Sequence, residues 1–113
     1  MVSLMDLQME FVRKFEKFRK NYKKYVSEIR DLAIDVFGKA EVYVFGSIVE
    51  GKTHPMSDIN VAVVVDYPSE DNRLELYRKI RERFGMLHPF EIHVLSNEEW
   101  KKYSKFIKKF ENI

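Results

Sequence analysis

The sequence predicts a mixed α/β fold: a small mixed sheet of about three strands, packed by helices and preceded by a long N-terminal helix. Two patterns carry this expectation. Residues 3–37 contain no Pro or Gly and repeat apolar side chains at steps of three and four, the period of one helix face. Residues 59–65 are apolar except at Asn60, which suits a strand buried on both faces near the middle of a sheet.

Along the first segment Leu4, Leu7, Phe11, Phe15, Phe18, Tyr22, Tyr25, Ile29, Leu32 and Val36 form the stripe. A helix over all of it would reach roughly 50 Å, against a radius of gyration of about 13 Å for a compact domain of this size. Part of it is therefore expected to project or to lie along a partner, and Gly38 is expected to end it. Residues 42–45 read as a short strand broken by Gly46 and Ser47, 48–52 as one helical turn, and 53–57 as a loop containing Pro55. Pro68 and Ser69 open a helix to about Phe84 that sets Leu76, Ile80 and Phe84 on one side and closes at Gly85. After Pro89 comes a third strand, 90–95. Ser96 with Glu99 has the spacing of a capping box, and the helix it starts is expected to align Trp100, Tyr103, Ile107 and Phe110. Without a repeat or linker, the 113 residues read as one domain, with 1–37 the long helix and 41–113 the sheet and its helices.

Composition excludes several classes of function. The absence of cysteine rules out a disulfide framework and a thiolate zinc site. Twenty basic and eighteen acidic residues leave a net charge of +2, so bulk charge predicts no nucleic-acid partner. The longest apolar run, residues 61–65, is about a quarter of a membrane span, and the first residues lack a signal-peptide pattern. The expectation is a soluble, cytoplasmic protein with no membrane partner.

One stretch reads as chemistry. Gly46-Ser47 is followed after ten residues by Asp58-Ile59-Asn60. Glycine lets backbone N–H groups approach a phosphate, and a serine adds a hydroxyl donor. Residues 58 and 60 share one face of a strand, because side chains alternate. Val44-Phe45-Gly46-Ser47, Gly51 and Ser57-Asp58-Ile59-Asn60-Val61 together resemble the signature of the DNA polymerase β-type nucleotidyltransferase superfamily, especially its minimal, MNT-type members.

That resemblance implies a nucleotidyltransferase fold, with Gly46, Ser47 and Ser57 at the nucleotide and Asp58, Asn60 and Glu91 as metal ligands. Asp58 and Glu91 would be the catalytic carboxylates, and Glu91 stands where the family's third acid belongs. It further implies Mg²⁺ or Mn²⁺, a nucleoside triphosphate such as ATP, and transfer of AMP to a hydroxyl on a partner. In the family this partner is often a helical HEPN-type protein, in a toxin–antitoxin pair. The family pattern has aspartate where this chain has Asn60. An amide oxygen can coordinate a hard cation but brings no charge, which leaves open an enzyme of lowered metal affinity, a one-metal enzyme, or a nucleotide-binding relic.

The remaining polar residues read more simply. Asp66 lies about 26 Å from Asp58 along an extended strand and is read as a strand-end turn. His93 shares a strand face with Glu91 and is expected at the pocket wall. His54 and His88 are read as exposed loop residues, and Lys52 as a solvated loop lysine within reach of a triphosphate. Basic runs at 13–24 and 101–109 suit nucleic-acid binding, but their interleaved aromatics fit a buried helical stripe with lysines on the wet side. The long first helix also suits a homodimer.

Overall fold

The computed structural model describes residues 3–55 and 57–113; Met56, within the expected 53–57 loop, lies outside the described residues. The expected long helix is two helices, α1 (Leu4–Lys20) and α2 (Tyr22–Phe37), broken at Asn21. Asn21 has φ −117° and ψ 30°, and both its N–H and its side-chain amide donate to the Lys17 carbonyl, at 3.2 and 3.1 Å. Asparagine competes in this way with the helical ladder. Its own carbonyl accepts from Lys24 and Tyr25 N–H and so starts the second helix.

Next come β1 (Glu41–Phe45), the single turn α3 (Ser47–Glu50), β2 (Ile59–Val65), α4 (Glu70–Phe84), β3 (Phe90–Ser96) and α5 (Asn97–Tyr103). The expected caps are present: Ser69 accepts from Asn72 N–H, and Ser96 and Glu99 make a reciprocal capping box. The C-terminal stretch departs from expectation. Helix α5 stops at Tyr103 and tightens into a 3-10 turn over Ser104–Phe106, and Phe110–Asn112 forms a fourth strand, β4. Trp100, Tyr103, Ile107 and Phe110 therefore share no single helix.

The sheet order is β3-β2-β1-β4. β2 pairs parallel with β3 and antiparallel with β1, and β4 adds antiparallel to the far side of β1. β2 is thus internal, and every residue in it except Asn60 is buried. On one face, Ile59, Val61, Val63 and Val65 pack with Val42, Val44, Phe90 and Val94 beneath α2 (Val26, Ile29, Ala33) and α4 (Leu76, Ile80, Phe84). On the other, Phe45, Ala62 and Val64 lie under Trp100, with Tyr43, Leu95 and Ile107 around them. The Trp100 and Tyr43 rings stack at 4.5 Å, and Phe110 meets Trp100 edge-on at 5.2 Å. These contacts explain why 110–112 is a strand: β1 offers an open edge, and Phe110 completes the aromatic cover.

The C-terminal strand is also tied to the helical layer. Tyr22 donates its hydroxyl to Glu111 Oε1 at 2.9 Å; burial, followed by this bond, pushes the phenol up to about 12. Arg30 donates to the Ile113 carbonyl at 3.1 Å.

α1 meets this body chiefly through Phe18, whose ring lies 5.0, 5.7 and 5.4 Å from those of Tyr25, Phe84 and Phe90. Farther out Leu4 and Met5 are each 72 % exposed, and the molecule measures 49 × 30 × 20 Å. The first helix therefore projects, though as the outer of two helices and not as part of the single long one expected, and the lysine-flanked aromatic stripe is buried only near the break. No helix among the described residues is long and apolar enough to cross a membrane.

This division predicts two different stabilities. Ile29→Ala, at a fully buried position, should cost about 2–5 kcal/mol in urea unfolding. Leu4→Ala on the projecting helix should change stability by less than about 0.5 kcal/mol. A large loss at Leu4 would contradict the projection.

Candidate functional site

The pairing of β2 with β3 places Asn60 opposite Glu91 and Ala62 opposite His93, while the β1 pairing places Phe45 opposite Asn60. Asn60, Glu91, His93 and Phe45 therefore share the sheet face that carries Trp100, at the end Trp100 leaves open. Asn60 and His93 are half-buried there and Glu91 is exposed. His93 Nε2 lies 3.4 Å from Asn60 Oδ1 and 3.8 Å from Glu91 Oε1, so the histidine expected at a pocket wall touches two of the candidate ligands. Parity with Glu91 was its only sequence signal. Phe45 and Tyr103, with ring centroids 5.6 and 6.3 Å from the His93 ring, form an aromatic flank; nothing in the sequence marked Tyr103 for that place.

Gly46 ends β1 beside Asn60. Its φ is +93°, and a Cβ built there would come within 2.6 Å of Asn60 Nδ2. The backbone conformation requires glycine, and a side chain there would displace the Asn60 amide. Its carbonyl accepts from Val49 and Glu50 N–H at 3.1 and 3.2 Å, folding α3 so that Ser47 begins a helical turn, where the first N–H groups lack intrahelical acceptors. The turn ends at Gly51. Asp58 is exposed immediately before β2, anchored by the Ile59 N–H bond to the Pro89 carbonyl at 2.7 Å.

The remaining candidates have contacts of their own. Ser57 is buried and pins its own loop: its hydroxyl accepts from His54 N–H at 2.8 Å and its N–H donates to the His54 carbonyl at 2.9 Å. Asp66 accepts from the Asn97 side-chain amide at 2.8 Å, at the opposite end of β2, in keeping with a strand-end role. Lys52 is exposed in the loop after α3. His88 is not the exposed loop residue expected. It is half-buried against Phe84 and Phe90, and its Nδ1 accepts from Phe90 N–H at 3.1 Å. Burial first, and then nearby Lys14, lower its pKa.

Asp58, Glu91 and the Asn60 amide offer hard oxygen donors of the kind that suit a divalent cation such as Mg²⁺, with one carboxylate fewer than the family pattern. The donor chemistry fits such an ion. Among the described residues no three His, Cys, Asp or Glu side chains are gathered closely enough to hold one, and Asn60 Oδ1 is turned toward His93.

Two tests follow from these contacts. Gly46→Ala should cost about 1–3 kcal/mol, and pairing it with Asn60→Ala should recover part of the loss by removing the colliding amide, leaving the strain of positive φ. Full additivity of the two changes in denaturant unfolding would contradict the contact. For His88, a folded pKa below the unfolded value means that the unfolded chain binds more protons. The stabilisation is then complete above about pH 6.5 and is lost as pH falls through the lowered folded pKa. His88→Asn should flatten this part of the Tm–pH curve; an unchanged slope would contradict the assignment.

Comparison with known proteins agrees with this fold. The sequence model of the nucleotidyltransferase domain family matches residues 19–112. A crystal structure of a protein provisionally named a nucleotidyltransferase is 36 % identical, with a TM-score of 0.65, over 79 % of this chain and 97 % of the other. A second, from Sulfolobus solfataricus and also provisionally named a nucleotidyltransferase, is 23 % identical with a TM-score of 0.53, over 90 % of this chain and 84 % of the other; at that identity it supports the fold alone. No curated protein matches the sequence. The match over most of the chain, on a fold that sets Gly46, Asn60 and Glu91 side by side, means that the chain belongs to the nucleotidyltransferase domain family.

Proposed function

We propose that the protein binds a nucleoside triphosphate at the lip formed by Gly46, Ser47, Asp58, Asn60 and Glu91, and transfers its nucleoside monophosphate, AMP from ATP, to a hydroxyl on a partner. The observation that carries this reading is the register that sets Asn60 opposite Glu91 and against Gly46. Ser47 would donate its hydroxyl and N–H to phosphate oxygens, and Gly46 keeps that approach free of a side chain. Asp58 and Glu91, with Asn60 as a neutral third donor, would hold Mg²⁺ or Mn²⁺. When bound, such a cation stabilises charge on the entering and leaving oxygens. Glu91 would take the proton of the acceptor hydroxyl as a new O–P bond forms at the α-phosphorus, the bond from that phosphorus to the bridging oxygen breaks, and pyrophosphate leaves.

The acceptor proposed is a protein, of the helical HEPN type suggested by the family resemblance, which transfer would neutralise in a two-component toxin–antitoxin pair. Phe106, 88 % exposed and three residues beyond Tyr103 on the flank of the site, supports a protein acceptor. A second reading is favoured by the orientation of Asn60: with its oxygen turned to His93 and no charge of its own, the site would hold nucleotide or partner without turnover.

Incubation with labelled ATP, Mn²⁺ or Mg²⁺ and a candidate helical partner separates the two. The transfer reading expects label on the partner, reduced about a hundredfold in Asp58→Ala. Asn60→Asp should bind Mn²⁺ on the order of tenfold more tightly and speed transfer. Nucleotide binding without label, even at high metal, selects the binding protein. If Asn60→Asp changes neither cation binding nor transfer, position 60 is no ligand.

A further inference from the structure

We infer that α1 is a self-association surface on which a second copy of this chain docks antiparallel, independently of whether the site turns over. The helix carries more apolar surface than its own body covers. Leu7 and Phe11 share a hollow with Leu87 but stay 44 % and 36 % exposed, while Phe18 is buried in the aromatic cluster. Met5, Met9 and Val12, spaced as one helical strip, line a second shallow, mainly apolar trough together with Gln8 and Phe11, and in it Met5 and Met9 are 72 % and 49 % exposed. An apolar strip of this kind on a projecting element marks an interaction surface.

Charge along the helix selects the occupant. Before Phe11 the helix bears Asp6 and Glu10 and no basic residue; after Val12 it bears Arg13, Lys14, Lys17, Arg19 and Lys20 against Glu16 alone. A parallel pair would set like charges level. In an antiparallel pair with its two-fold axis beside Met9, Met9 meets Met9, Met5 meets Val12, and Asp6 of each copy lies level with Arg13 of the other. Asp6 and Arg13 are seven residues apart and flank the strip in one row, and both are exposed. The capping box with Ser3 fixes Asp6 at the helix start. The symmetry makes each contact twice, so the chain complements itself without a different partner.

Sedimentation velocity on the full chain, from about 5 to about 200 μM, spans the range expected of an interface this small. The proposal expects a concentration-dependent monomer–dimer equilibrium. Arg13→Asp should weaken it about tenfold, because two symmetric pairs become repulsive, and the double variant Asp6→Arg with Arg13→Asp should restore it to within about threefold. Met9→Glu should abolish the dimer with helix content by circular dichroism unchanged, which separates lost association from lost folding. A monomer at every concentration, or a dimer that ignores both Met9→Glu and Arg13→Asp, would overturn the proposal. So would capture of a different helical protein on the strip while the pure chain stays monomeric.

Discussion

The parallel pairing of β2 with β3 is the constraint on which the rest of the molecule depends. β2 is buried on both faces, with helices α2 and α4 on one side and the Trp100 cluster on the other. In such a strand a one-residue slip would turn every side chain to the wrong face, so the register is held by the whole core. That register decides that Asn60 stands opposite Glu91 and Phe45. It also decides that the polar rim emerges only where the aromatic cover ends. The site is a consequence of how the core is packed, and its geometry should be as stiff as the core.

Position 60 is where that stiffness meets electrostatics. Gly46 has room for no Cβ because the Asn60 amide fills the space, and the other end of the same amide faces His93. An aspartate there would bring a third negative charge to a rim that already carries Asp58 and Glu91, and would set a carboxylate beside the histidine ring. With an amide the rim keeps its shape and loses charge. The proposed cation site is therefore weaker through its chemistry while the architecture around it is complete.

The layers of the fold were legible because burial imposes period. The apolar run at 59–65 identified the internal strand, and Leu76, Ile80 and Phe84 identified a helix that packs on it. The break at Asn21 was not legible from periodicity, since Phe18, Tyr22 and Tyr25 keep the helical step through it; the cause is a side-chain bond to the Lys17 carbonyl. β4 was hidden for a related reason. Trp100, Tyr103, Ile107 and Phe110 fall at helical spacing, yet the last is recruited by the edge of β1 and the ring of Trp100, contacts far away in sequence. In the site, Gly46 and Glu91 could be read from spacing, but the contact of His93 with Asn60 depends on strand register. The burial of His88 depends on Phe84 and Phe90, which local sequence does not reveal.

The function proposed requires a triphosphate to meet the chain where β1, β2 and β3 present Gly46, Asn60 and Glu91. A ¹H–¹⁵N correlation titration with a non-hydrolysable ATP analogue and Mg²⁺ tests it directly. Shifts are expected to concentrate at Gly46, Ser47, Asp58, Asn60 and Glu91, with α1 unaffected. Shifts confined to the basic surface of α1, or none at millimolar nucleotide, would contradict it.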